Sequence, residues 1–295
     1  MGILANLKKL FGPNPNKGLN KIDVKQRFDL IGRTGQGSMS KVWRAHDKKY
    51  GRTVCVKLLD KEKTAKFEAR FPGVNKPREG AICVQLKHKN IVQTTEYGIT
   101  TKGEYYLVME LIDGMGLNYL IETKSPQLEG NRVTFLLQVA DALEYLHKQG
   151  FLHRDVCPRN VMVTRDGLVK LIDFGLTIPN TAEFFKPGNR TGTPNYLAPE
   201  LIRRVPTDHR VDLFALGVTA YEVCTGKLPW EKTESLATIM SHMNRAGTDP
   251  RELRRDLDKP TAAFLLKSVE RDPNLRFQSA TDFREALQAL PKQNW

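Results

Sequence analysis

The sequence predicts an α+β fold, with strands gathered in its N-terminal third and helices filling the remainder. Three observations lead there. Apolar and β-branched residues alternate at strand period in short runs between Phe28 and about Tyr106. From Leu117 onward they recur at helical spacing instead. No internal repeat is visible, which excludes a solenoid. The chain has 295 residues, 40% hydrophobic and 27% charged, enough for one large domain or two lobes around a substantial core.

Residues 1–27 stand apart as an N-terminal extension. Ile3, Leu4, Leu7, Leu10 and Phe11 recur at helical spacing with Lys8 and Lys9 opposite. Gly12 to Gly18, rich in Pro and Asn, then reads as a linker. Residues 3–11 suit either peripheral contact with a membrane or partner, or a helix docked on the protein's own body. Strands are expected at Phe28–Gly35, Lys41–His46, Thr53–Leu59, Ile91–Tyr97 and Tyr105–Met109, interrupted by a helix near Arg78–Leu86. Helices are expected at Arg132–Gln149, Asp212–Thr225 and Thr261–Val269. The apolar run from Leu213 to Cys224 is too short and too polar to span a bilayer. The start of the chain lacks the pattern of a signal peptide.

Cys55, Cys83, Cys157 and Cys224 form no Cys-x-x-Cys pair. They read as reduced thiols of a cytoplasmic protein rather than zinc ligands. The net charge is +13. The basic residues read as scattered over a solvated surface, and no specific nucleic-acid binding is expected.

The chemistry concentrates in two loops. His153-Arg154-Asp155-Val156-Cys157-Pro158-Arg159-Asn160 offers a carboxylate and, five positions on, a carboxamide. Asp173-Phe174-Gly175, after the apolar run Leu168–Ile172, offers a second carboxylate. Two acids and an amide converging from two loops can hold magnesium and orient a hydroxyl, as phosphoryl transfer from ATP requires. Upstream, Gly35-Gln36-Gly37-Ser38-Met39-Ser40-Lys41-Val42 joins two strand-like runs. Glycines there let backbone N–H groups approach phosphates. In Val54-Cys55-Val56-Lys57, strand alternation puts Cys55 and Lys57 on one face.

These segments, in this order, resemble the protein kinases from about Phe28 to Ala289. The resemblance implies a bilobal fold, with a small β-rich N-lobe at 28–110 and a larger helical C-lobe at 111–295. It implies that Gly35, Gln36, Gly37, Ser38, Val42 and Lys57 bind ATP, with Met109, Glu110 and Ile112 at the adenine. It assigns a glutamate partner to Lys57; Glu68 and Glu79 compete, and the passage through His88-Lys89-Asn90-Ile91-Val92 favours Glu79. Asp155 becomes the catalytic base, and Asn160 and Asp173 become the magnesium ligands. Ser40 replaces the third glycine of the family's loop. Cys157 replaces its lysine, and Arg159 is the candidate to compensate. His153 and Phe174 are expected to stack with Cys83 as core elements. Glu200 is expected to pair with Arg276, and Asp212 to anchor the catalytic-loop backbone.

Gly192-Thr193-Pro194-Asn195-Tyr196-Leu197-Ala198-Pro199-Glu200 resembles the serine/threonine branch, in particular its bacterial-type members. The expected activity is ATP- and Mg-dependent phosphorylation of protein Ser/Thr hydroxyls, with autophosphorylation. A pseudokinase scaffold and a small-molecule kinase are the alternatives. Thr191, ahead of Thr177 and Thr181, is the expected phosphosite of the activation segment, with Arg154 as its partner.

Overall fold

The computed structural model describes residues 18–37, 40–71, 73–74, 76–185, 191–231, 239–240 and 244–291. The amphipathic stretch at 3–11, Ser38 and the tip of the activation segment lie outside these. The chain divides into two compact units, Met1–Ile112 and Asp113–Trp295.

The first unit is built on a six-stranded sheet. Its strands are β1 (Asn20–Ile22), β2 (Phe28–Gly37), β3 (Ser40–Asp47), β4 (Arg52–Leu59), β5 (Thr94–Thr100) and β6 (Tyr105–Met109). Their order is β1-β5-β6-β4-β3-β2. Inward-facing residues Phe28, Ala45, Val54, Val56, Tyr106 and Val108 form one core cluster. In β4 the alternation anchors Val54 and Val56 in that cluster, as period-2 geometry requires. Among the described residues three helices accompany the sheet: α1 (Val24–Arg27), α2 (Lys61–Glu68) and α3 (Glu79–Cys83).

The structure corrects the sequence reading at three places. First, residues 20–27 belong to the sheet unit rather than to a detached extension. β1 pairs parallel with β5, and Arg27 ion-pairs with Asp47 at 3.1 Å and with Glu96. A three-residue edge strand carries no legible alternation. Second, the helix expected through Leu86 ends at Cys83, because the N–H groups of Gln85 and Leu86 donate three residues back to Ile82 and Cys83. Third, β5 starts at Thr94, since Ile91 closes a turn on His88. The basic residues are spread over both units, but the acidic ones are not. Residues 1–112 hold 22 of the 46 basic and 10 of the 33 acidic side chains, so +12 of the +13 lies in the first unit.

The second unit is mainly helical. Its helices are α4 (Leu117–Glu122), α5 (Arg132–Lys148), α6 (Pro199–Arg203), α7 (Arg210–Thr225), α8 (Pro250–Leu253), α9 (Lys259–Ser268) and α10 (Ala280–Gln288). Most of α7 is buried on every side, as expected of a helix running through a core. Gly217 on α7 permits close approach to α9: a Cβ there would lie 2.4 Å from the Ser268 carbonyl oxygen. Short strands β7 (Gly114–Gly116), β9 (Val161–Thr164) and β10 (Val169–Leu171) form one small sheet. Strands β8 (Phe151–Leu152) and β11 (Ile178–Pro179) form another. These two small sheets frame the loops at 153–160 and 172–177.

Candidate active site

In the first unit, β4 turns Lys57 away from the apolar cluster, and α3 presents Glu79 from its first turn. Lys57 Nζ lies 2.6 Å from Glu79 Oε1, and both side chains are buried. The pairing is with Glu79, not Glu68. A buried pair of this kind leaves one uncompensated charge if either partner is removed. α3 can sit this close to the sheet because residue 80 is glycine, where a Cβ would meet the Tyr97 side chain at 2.6 Å.

Lys76 is a neighbour that no sequence motif marked. Its Nζ lies 5.1 Å from the Phe67 ring centroid and donates to the Pro77 carbonyl at 3.4 Å. Burial pushes its ammonium down to about 8, against the opposing pull of Glu79 and Glu68.

The other residues assigned to the nucleotide lie in the same unit. Gly35, Gln36 and Gly37 end β2 and pair with Val42, Lys41 and Ser40 at the start of β3. Cys55 stands opposite Met109 across β4 and β6. Burial pushes the Cys55 thiol up to about 11, which favours its neutral form. The Glu110 N–H donates to the Gln93 carbonyl at 2.9 Å, and its carboxylate accepts from the Gln93 N–H at 2.7 Å. That N–H is therefore committed within the unit. Ile112 is half-buried at the end of the unit.

In the second unit, the buried Asp212 carboxylate on α7 holds the loop that carries Asp155. It accepts from the backbone N–H groups of His153 and Arg154, both at 2.8 Å, and contacts His147 Nε2 at 2.9 Å. Burial alone would raise its pKa, but the His147 bond and the neighbouring charges outweigh burial and keep it below the usual carboxylate range. Arg154 takes a φ of +70°, a conformation that costs on the order of 1–3 kcal/mol for a side-chain-bearing residue. The two bonds to Asp212 hold it there.

Asp155 is bracketed on both oxygens. Asn160 Nδ2 donates to its Oδ2 and to its backbone carbonyl, each at 2.8 Å. The Thr193 N–H and hydroxyl donate to its Oδ1 at 2.8 and 2.7 Å. Asn160 closes a 3-10 turn that begins at Pro158. Its carbonyl accepts from the Ile172 N–H at 2.9 Å, which ties the segment entering Asp173 to this loop. Asp173 has a φ of +61°, and its Oδ1 accepts from the Gly175 N–H at 3.2 Å. His153 and Phe174 pack edge to face at 4.9 Å. Asp155, Asn160 and Asp173 are thus brought together by one connected set of bonds.

Cys157 is buried, and its Sγ lies 3.7 Å from the Thr193 hydroxyl. Burial first, then the Asp155 charge, push its thiol up to about 12, which favours the neutral thiol. Arg159 is exposed. Glu200 and Arg276 form a buried bidentate pair at 2.7 and 2.8 Å. Thr177 is fully buried, so it is not an accessible phosphosite; Thr181 and Thr191 are half-buried.

Sequence reasoning missed Gly192. It sits at φ +135°, and a Cβ there would lie 2.9 Å from the Arg154 carbonyl oxygen. The glycine before Thr193 was the available signal.

Comparison with known proteins matches residues 28–289 to the family model of the protein kinase domain. A probable serine/threonine-protein kinase of Clostridium acetobutylicum is 30% identical over 266 residues, covering 90% of this chain and 40% of its own. One from Streptomyces coelicolor is 32% identical over 277 residues, covering 89% and 40%. A serine/threonine-protein kinase of Myxococcus xanthus is 31% identical over 288 residues, covering 92% and 51%. The chain therefore spans about two-fifths to one-half of these relatives' length.

Proposed function

The chain belongs to the protein kinase family, and from that premise we propose that it transfers the γ-phosphoryl group of ATP to serine and threonine hydroxyls of proteins, itself included. The observation that carries this reading is the bracketing of Asp155 by Asn160 and Thr193. A carboxylate so fixed accepts the proton of an incoming hydroxyl as its oxygen bonds to the γ-phosphorus and ADP departs. Thr193 lies in the segment that resembles the serine/threonine branch, and the relatives compared bear serine/threonine-protein kinase names.

In this reading Lys57, aligned by Glu79, holds the α- and β-phosphates. Gly35, Gln36, Gly37 and Ser38 line the phosphates, and Val42, Met109, Glu110 and Ile112 line the base. The Asn160 amide nitrogen is spent on Asp155, which leaves its side-chain oxygen to serve as a hard donor together with the Asp173 carboxylate. Oxygen donors of this type fit magnesium, so Asn160 and Asp173 would hold it. When bound, the ion neutralises charge between the phosphates being parted. Arg159, exposed and four residues after Asp155, supplies the cation that Cys157 does not.

The test is transfer from γ-labelled ATP with magnesium, comparing wild type and Asp155→Asn on the protein itself and on a basic substrate protein. Label on Ser and Thr that disappears in the variant supports the reading. Absence of label from both, with ATP still bound, moves it to an ATP-binding scaffold.

A further inference from the structure

The first unit carries nearly all of the chain's net charge, and its acids are largely engaged. Asp29, Asp47, Glu79 and Glu96 sit in ion pairs, while Asp23 and Asp60 cap helices. Most of the described cations of this unit face solvent, Lys57 being the buried exception. They gather most clearly at one end of the sheet, at the turn between β3 and β4, Lys48-Lys49-Tyr50-Gly51. Tyr50 is 53% exposed at its tip. Lys49 Nζ lies 4.9 Å from its ring centroid, and the guanidinium groups of Arg52 and Arg27 lie 5.4 and 5.5 Å away. Lys48 joins Lys25 to the cluster by donating to the Lys25 carbonyl at 3.3 Å. Arg27 is neutralised by Asp47 and Glu96, and Lys48 is partly neutralised by Asp29. Lys25, Lys49 and Arg52 are in no ion pair among the described residues.

Exposed cations thus surround a half-exposed tyrosine. A basic turn carrying such a tyrosine is complementary in charge and chemistry to an anionic lipid surface. Tyrosine rests at the level of lipid headgroups, and nearby Lys and Arg draw it to anionic leaflets. The same unit begins with the amphipathic pattern Ile3, Leu4, Leu7, Leu10 and Phe11, an apolar signal of the kind that stable peripheral binding combines with a basic patch.

We propose that the β3–β4 turn docks the N-terminal unit onto anionic lipid bilayers. Lys25, Lys48, Lys49 and Arg52 meet the headgroup anions, and Tyr50 enters at headgroup depth.

The experiment is co-sedimentation of the full chain with phosphatidylcholine vesicles lacking or holding about 30% phosphatidylserine, at about 0.1 and 0.5 M salt. Binding should require phosphatidylserine, fall with salt, and drop about tenfold in Lys49→Glu/Arg52→Glu. Tyr50→Ala should weaken it several-fold. Lys49→Gln/Arg52→Gln provides a milder pair should the reversed charges lower the melting temperature. The proposal is overturned if either well-folded pair binds as wild type does, or if no phosphatidylserine-dependent binding occurs. It is also overturned if deleting residues 1–11 alone removes all binding while the turn variants keep it, or if a single-stranded oligonucleotide displaces the protein from the vesicles. Vesicle binding is read without catalysis, so its outcome is separate from that of the phosphate-transfer assay.

Discussion

Asp155 keeps its orientation because donors reach it from two stretches of chain, Asn160 five residues on and Thr193 thirty-eight residues on. The two differ in what substitution leaves behind. Thr193→Ala removes the hydroxyl bond and retains the backbone N–H bond, so the carboxylate gains freedom without losing its place. A kcat lower by about tenfold, unchanged KM for ATP and recovery in Thr193→Ser are expected from steady-state kinetics. Equal kcat in the alanine variant would refute the role. Lys76 makes a different prediction. With its folded pKa near 8 and an unfolded value of about 10.4, the unfolded chain binds more protons between these limits. Stability should therefore rise with pH from about 8 to 10.4 relative to Lys76→Met. Below pH 8 both states are protonated, and the burial cost persists in full. Urea midpoints that run parallel for the two proteins across this window would remove the argument. Asp155, Asn160 and Asp173 were legible because each lies in a short motif whose chemistry needs that residue type. Lys76 was not, since its perturbation comes from burial against the opposing pull of Glu79 and Glu68, and sequence alone does not show that burial.

At the scale of elements, periodicity located the helices and strands with buried faces. It placed α5, α7 and α9 to within two residues at either end and β6 without error. It failed at β1 and at the end of α3, where the determinants are a parallel partner in β5 and tightened backbone bonds. Gly80 shows why local propensity misleads there. It looks like a flaw in a helix, and alanine is the better helix former. Yet a Cβ at residue 80 would overlap Tyr97 at Cβ and ring carbons alike, so the neighbour cannot simply swing aside. Gly80→Ala is expected to destabilise the protein by about 1–3 kcal/mol through overpacking. It should also lower activity by displacing Glu79 from Lys57. Denaturation and transfer assays on one preparation check both; a stabilised variant would show that propensity outweighs the contact. The Glu200–Arg276 pair makes the complementary case. Arg276 is buried and also donates to the carbonyls of Glu270 and Arg271. Arg276→Met strands the Glu200 carboxylate, and a loss of about 3–5 kcal/mol is expected in denaturant titration.

Across the whole molecule, charge is divided far less evenly than hydrophobicity. The total of +13 conceals +12 in residues 1–112 and +1 in the rest. The motif-by-motif reading missed this because it comes from the acids, 10 in residues 1–112 against 23 in the rest, and few of those lie in motifs. Self-repulsion of that size opposes compactness, and dissolved salt screens it over roughly 10 Å at 0.1 M and 3 Å at 1 M. The two units should therefore respond differently. Raising salt should slow amide hydrogen exchange in β2 to β6, where repulsion among exposed cations is relieved. The helices of the second unit, near neutrality, should change little. Salt also weakens the Arg27 pairs with Asp47 and Glu96, but these are largely buried and lose less than the exposed lysines gain. Exchange measured peptide by peptide at low and high salt separates these contributions. A uniform rise in protection across both units would point to general salting-out instead. A rise confined to β2–β6 that disappears when Lys49 and Arg52 are made glutamine would locate the repulsion at the basic turn, and would show that the surface proposed to meet a bilayer is a source of strain in the protein that carries it.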